Sequence, residues 1–347
     1  MTSGQTILIT GASGFIATHI VEAFLTAGYN VRGTVRSQQT ADRVRQTFAN
    51  YASQLELVVV PDVAKPGAFN EAVKGVDGVI HTATAFQLSV QDNERDLLRP
   101  AIEGTRYILE ETEKNAPKVK RVVLTSSFAA MLDLSKGTWP GHVYDDKDWN
   151  PVTYEEASKK DAPAAVAYCA AKELAEKEAW KFVRESEPRF DVATILPPMV
   201  YGPNKNATAT LSHLNTSSAV IYGLMSPTSK PSDPVPPTSF WSYVDVRDVA
   251  QAHLRAFQVP EAGGQRFLVC GGNCSIQHIV DILRKDVPEV KDRVPVGKPG
   301  SGFGGVELYT TDTSKSVKIL GIKYHSLEQI VVDAAKSFLE LEKKGRS

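Results

Sequence analysis

Through its first half the chain alternates short apolar runs with stretches in which apolar side chains recur every three to four positions. The runs Thr6–Thr10, Asn30–Val35, 56–60, Gly78–His81, Arg121–Thr125 and Asp191–Leu196 are rich in Val, Ile or Leu and end at Gly, Pro or polar residues. Each predicts a strand. Stretches such as Phe15–Thr26 and 97–113 predict the helices between them. Parallel strands need crossover helices, so this alternation predicts an α/β fold, a doubly wound parallel sheet covered on both faces.

The pattern changes after Leu196. Residues 203–240 are rich in Ser, Thr, Asn and Pro, with Pro227, Pro231, Pro234, Pro236 and Pro237 close together. Prolines at this density interrupt regular structure. The apolar stretch 211–225 inside the segment favours an ordered lobe over a linker. Residues 244–257 then predict a strand end and a helix, and 265–270 a further strand. A last helix is capped by Ser326, with Leu327, Ile330, Val331, Ala334, Phe338 and Leu341 on one face. The expected organisation is a sheet domain from 1–196 and 241–270, with a smaller C-terminal lobe from 197–240 and 271–347.

Composition narrows the class without naming the chemistry. At 347 residues, 42 % hydrophobic, 23 % charged and with a net charge of −1, the chain offers no broad basic face for nucleic acid. No apolar run approaches the roughly 18 residues a membrane span needs. The polar start, Met1–Thr6, does not read as a signal peptide. Three cysteines, Cys169, Cys270 and Cys274, fit reduced thiols in a cytoplasm, and their spacing matches no metal site.

Chemistry enters at the first strand's end, in Gly11-Ala12-Ser13-Gly14-Phe15-Ile16-Ala17. Gly11 permits a tight turn, Gly14 lets backbone approach a phosphate, and Ala17 allows close helix–strand packing. The helix start then offers free N–H groups to a pyrophosphate. Gly11, Ser13, Gly14, Phe15 and Ile16 are the expected loop contacts. An NAD site usually carries an acid at the end of the second strand, but this chain has Arg36, with Arg32 as a second basic candidate. A guanidinium suits a ribose 2′-phosphate, so NADPH/NADP is the expected cofactor.

Tyr168 and Lys172 are four residues apart in a helical segment whose start signals are Asp161 and Pro163. A free phenol, with a pKa of about 10, is a poor acid–base group near neutrality, and a neighbouring ammonium is expected to lower it. Ser126 and Ser127 follow the strand Arg121–Thr125, at the carboxyl edge where ligands gather. Any helix can hold Tyr-x-x-x-Lys, and two serines can be a mere turn. Phosphate loop, strand-end serine and helical Tyr-x-x-x-Lys in this order are far more specific.

With these residues the chain resembles the extended short-chain dehydrogenase/reductase family over nearly its whole length, through 10–17, Pro61-Asp62, 81–83, 123–127, 168–172, 197–203 and 243–250. Residues 93–98, 122–130, 213–217 and 295–302 are especially similar to fungal NADPH-dependent methylglyoxal/3-methylbutanal reductases; plant dihydroflavonol and cinnamoyl-CoA reductases are more distant. The resemblance implies a catalytic triad of Ser127, Tyr168 and Lys172, with Ser127 favoured over Ser126. It implies Asp62 near the adenine, Ala83 and Thr84 along the cofactor and Pro197 near the nicotinamide, with Val63 and Val200 also in the cofactor set. It implies a substrate pocket of Phe86, Phe128, Leu132, Ala165 and Met199. Related reductases tend to carry aromatics at the positions of Leu132 and Met199, so this pocket departs from theirs and suits bulkier or differently shaped ketones.

The expected activity is reduction of aldehydes or ketones such as 2-oxoaldehydes and 3-oxoesters, with hydride from nicotinamide and a proton from Tyr168. The partner is a small carbonyl compound, with no nucleic acid, membrane or metal, and the chain is a monomer or homodimer. The alternatives are a sugar-nucleotide epimerase or dehydratase on the same fold, against which Arg36 speaks, and a non-catalytic NADP-sensing protein, against which the retained Tyr and Lys speak.

Overall fold

A computed structural model describes residues 4–83, 90–206 and 210–345. Its strands are β1 Thr6–Thr10, β2 Asn30–Val35, β3 Leu55–Val59, β4 Gly78–His81, β5 Arg121–Thr125, β6 Val143–Tyr144, β7 Asp191–Leu196, β8 Met199–Tyr201, β9 Ser242–Asp245, β10 Gln265–Leu268, β11 Gly272–Asn273 and β12 Thr310–Thr311. Its helices are α1 Phe15–Thr26, α2 Gln38–Thr47, α3 Arg99–Asn115, α4 Tyr154–Ala157, α5 Ala164–Ser186, α6 Thr216–Met225, α7 Val246–Gln258, α8 Ile276–Asp286 and α9 Leu327–Lys343. A π-helical turn, Glu94–Leu98, precedes α3.

Seven strands form the main sheet in the order β10-β7-β5-β4-β1-β2-β3, all pairs parallel. The chain winds outward from β1 to β3, then returns to the other side of β1 with β4. This reversal opens a crevice at the carboxyl ends of β1 and β4, where ligands of such sheets bind.

Successive side chains of each strand enter opposite cores. Ile7, Ile9, Val123, Ala193 and Ile195 pack with α1 and α7 on one face. Leu8, Val122, Leu124 and Val192 pack with α3 and α5 on the other. A third core, from α6, α8, α9 and the side chains of Tyr201 and Tyr243, builds the lobe. Ser326 and Gln329 form the capping box of α9, and the six apolar residues read from its sequence are all buried. The lobe is not cleanly cut from the sheet domain. Leu320 and Ile322 pack into the core of the sheet beside α7, while Tyr243 of β9 packs into the lobe. Burial of apolar surface assigns these residues, not chain order.

Candidate active site

The phosphate loop is held by backbone geometry. Gly11 has φ +69°, and a Cβ there would sit 3.3 Å from Ala83. Gly14 N–H donates to the Gly11 carbonyl at 2.9 Å, and Ala12 N–H to that of Thr34 at 2.9 Å. Gly33 contributes something the sequence did not signal: a Cβ there would fall 2.7 Å from Ala12 Cβ, so its absence lets the loop lie against β2. The start of α1 has no side-chain cap and no acid in its first turn. Its N–H groups and dipole thus remain available to an anion. Ser13, Phe15 and Ile16 lie in or just after this turn.

The two arginines of β2 part ways. Arg32 bonds Glu56 at 2.7 Å and the carbonyls of Ala72 and Lys74 at 3.1 and 2.6 Å. It is committed to the protein, which removes it as a phosphate ligand. Arg36 lies exposed just beyond β2 and has no hydrogen bond or ion pair among the described residues. An uncapped helix start and a free guanidinium just beyond β2 fit a pyrophosphate and a 2′-phosphate. Asp62, just past β3, accepts from Ala64 N–H in a local turn at 3.0 Å.

Thr10 ties β1 to β4 across 71 residues of chain. Its Oγ1 accepts from the amides of Thr82 and Ala83, each at 3.0 Å, and lies 3.0 Å from His81 Nδ1. With its lone pairs occupied, Thr10 donates to Nδ1. Burial, helped by the nearby Lys172 ammonium, drops the His81 pKa to about 3, so the ring is neutral and can accept there. The anchor sets Ala83 beside the loop. A small cavity of about 30 Å³ at this level is lined by Val63, His81, Ala83, Ser126, Lys172 and Glu176.

Three consecutive residues at the end of β5 face three partners. Thr125 Oγ1 bonds His253 Nε2 at 2.7 Å, with His253 Nδ1 on the Val249 carbonyl. Ser126 Oγ donates to Glu176 at 2.6 Å. Ser127 bonds Tyr168 and accepts from Ala129 N–H at 3.1 Å. Strand alternation therefore separates the two serines: one is spent under the site and the other meets the phenol. Glu176 also accepts from Thr194, Trp180 and Arg266 at 2.8, 3.1 and 2.7 Å, and Arg266 stacks on Trp149 at 3.6 Å. Glu176 lies one helical turn beyond Lys172, so this buried network fixes α5 against β5.

Lys172 Nζ is 5.8 Å from the centre of the Tyr168 ring. Its expected effect on the phenol is reversed in the protein alone. Burial pushes Tyr168 up to about 12, opposed by the Ser127 hydrogen bond, and burial brings Lys172 down to about 8. Loss of hydration around the phenolate is the dominant cause, and the Ser127 hydrogen bond only partly offsets it. The helix α5 starts after Pro163 with no side-chain cap, so Asp161 does not cap it. Its lead-in is instead pinned by Asn93, whose amide donates to the carbonyls of Lys159 and Ala162 at 3.3 and 3.1 Å. The neighbouring Cys169 turns away into the interior, where burial pushes its thiol up to about 11.

The pocket candidates come from several elements. Phe128 and Leu132 are buried in an aromatic group with Tyr144 and Tyr309. Ala165 is exposed on the first turn of α5, Met199 is half-buried on β8, and Val200 points into the sheet core. Pro197 is buried, its carbonyl accepting Phe128 N–H at 2.9 Å. Thr84 and Phe86 lie outside the described residues. Among the described residues no cluster of three or more potential metal ligands occurs, and no helix is long and apolar enough to cross a membrane.

A family model described as the NAD dependent epimerase/dehydratase family matches residues 7–271. The chain is 39 % identical over 346 residues to an NADPH-dependent methylglyoxal reductase of Saccharomyces cerevisiae, covering 97 % of this chain and 99 % of that one. It is 40 % identical to a ketoreductase of Aspergillus niger, covering 96 % and 97 %. The crystal structure of yeast methylglyoxal/isovaleraldehyde reductase complexed with NADPH superposes with a TM-score of 0.91 at 39 % identity, over 99 % of this chain and 100 % of that one.

Proposed function

The chain belongs to the NAD dependent epimerase/dehydratase family, and on that premise we propose that it is an NADPH-dependent carbonyl reductase that converts aldehydes and ketones to alcohols. The observation that carries this reading is the meeting of Ser127, Tyr168 and Lys172 at the carboxyl edge of the sheet, on the far side of the crevice from the phosphate loop. NADPH supplies the hydride. Tyr168, kept protonated by burial well above neutrality, gives its proton to the carbonyl oxygen. Ser127 orients that oxygen. Lys172 compensates the charge left on Tyr168 and holds a ribose hydroxyl.

Gly11, Ser13, Gly14, Phe15, Ile16, Asp62, Val63, Ala83, Pro197 and Val200 are proposed along the cofactor, with Arg36 on its 2′-phosphate. Phe128, Leu132, Ala165 and Met199 are proposed around the substrate. The names of the relatives support reduction of 2-oxoaldehydes and ketones. Epimerisation is not favoured: a UDP-glucuronic acid and NAD complex matches at 20 % identity, which speaks for the fold alone. Three free, buried cysteines support a reducing, cytoplasmic setting. NADPH oxidation followed at 340 nm with methylglyoxal, simple aldehydes and 3-oxoesters tests the proposal; turnover is expected with several, and none across the panel sinks it.

A further inference from the structure

Beneath the reacting centre, Glu176 is held by more bonds than an ion pair needs. It is 3 % exposed and accepts from Thr194 of β7, Trp180 of its own helix and Arg266 of β10 at 2.8, 3.1 and 2.7 Å. Arg266 is itself fixed by the carbonyls of Asp146 and Asp148 at 2.6 and 2.9 Å and by the face of Trp149. A buried pair of this kind is often no more stabilising than apolar side chains of like volume, so stability alone accounts for it poorly. What the bonds supply is direction: a carboxylate with these partners has one position.

A further partner of that carboxylate lies at the site. Ser126 Oγ donates to it at 2.6 Å, and Ser127, the next residue, bonds Tyr168. Tyr168, Lys172 and Glu176 recur every four residues on α5 and so form one stripe. Two consecutive serines of the strand end are thus gripped from two points of one helix face, with Lys172 between those points. Along the sheet the same stretch is tethered by backbone, Ser126 N–H to the Ile195 carbonyl at 2.8 Å and Phe128 N–H to that of Pro197 at 2.9 Å. Ser126, Lys172 and Glu176 also line one cavity of about 30 Å³, room for about one or two waters. A strand end released from Glu176 has that space to move into. Consecutive Cα atoms, fixed about 3.8 Å apart, carry the movement to Ser127.

We propose that Glu176 is a positioning residue for the reduction, which through Ser126 sets where Ser127 meets Tyr168. This rests on the carbonyl-reductase reading and goes beyond it: a group outside the set of Ser127, Tyr168 and Lys172 governs proton delivery, with β7 and β10 as its frame of reference.

Ser126→Ala cuts the link alone and leaves Glu176 its threonine, indole and guanidinium. With NADPH and the fastest carbonyl compound of the panel above, on the full chain, it is expected to lower kcat about ten- to a hundredfold, the scale of a displacement of about 1 Å. KM for both substrates and the melting temperature should stay near their original values. In a Ser127→Ala background, whose residual turnover is followed at higher enzyme concentration, the same change is expected to cost little, because residues that act as a unit are not additive. Glu176→Asp keeps a carboxylate for Arg266 but is one methylene shorter, out of reach of Ser126. It should lower kcat in the same way and serves if the first variant does not fold. An unchanged kcat in a folded variant overturns the proposal. So does an equal loss with and without Ser127, which reduces Glu176 to a structural role. Absence of turnover across the panel in the unmodified chain fails the carbonyl-reductase reading itself, and the proposal with it.

Discussion

The crevice around Ser127 and the groove that β8, α6 and α8 form in the lobe are built by opposite means. Beneath the crevice, polar bonds fix nearly every group: Thr10 takes two amides and a histidine, and Glu176 takes a serine, a threonine, an indole and a guanidinium. Such bonds are directional, and a buried partner left unpaired is costly. Around the groove the walls are mostly apolar and packing is non-directional. The difference teaches that directional bonds over-determine the geometry beneath the crevice, whereas apolar packing leaves the walls in the lobe adjustable.

The strongest way to break that contrast is Tyr168→Phe. It removes the proton donor and is expected to lower kcat by about 10²–10⁴-fold, while NADPH binding, followed by nicotinamide fluorescence, stays near its original strength. Glu176→Ala attacks the polar floor. It leaves Arg266 buried without its charge partner and is expected to cost about 3–5 kcal/mol in chemical denaturation. Glu176→Gln, which keeps an acceptor, should cost clearly less. An equal loss in both would deny that the charge pair holds α5 on β10.

Arg36→Ala touches neither region and is expected to weaken NADPH binding by about 1.5–3 kcal/mol, roughly ten- to a hundredfold, with NADH little changed. Titration of both dinucleotides checks it. A further effect is on pH. Lys172 titrates near 8 in the folded chain but at 10.5 as a free amine. The unfolded chain thus holds the extra proton between those values, and this group makes stability rise with pH across that window. Its contribution is present above 10.5 and lost as pH falls through 8. Lys172→Met should flatten that part of a plot of melting temperature against pH.

Much of the first region was legible in the sequence because its signals are local. The strands β1, β2, β4, β5 and β7, the glycine turn, the Tyr-x-x-x-Lys spacing and the Ser326 cap each depend on residues within a turn or two. What stayed hidden acts across long separations. Residue types alone left Ser126 and Ser127 equal; Glu176, 50 residues on, separates them. Arg36 stood ahead of Arg32 only by its place at the strand's end; what commits Arg32 elsewhere, Glu56 and the carbonyls of Ala72 and Lys74, lies 24 to 42 residues away. The sign of the Tyr168 shift depends on burial, which spacing does not report. The groove was invisible because its prolines and serines carry no period, and its shape comes from α6, β8 and α8 meeting.

Cys169 sits immediately beside Tyr168 in the chain yet faces inward, with a thiol held at about 11. A protonated, enclosed sulfur reacts with alkylating reagents only when α5 lifts from its neighbours. The molecule thus carries its own reporter of breathing next to the proton donor, readable by mass spectrometry without any introduced label, and the pace of that modification gauges how firmly a bound dinucleotide clamps the helix.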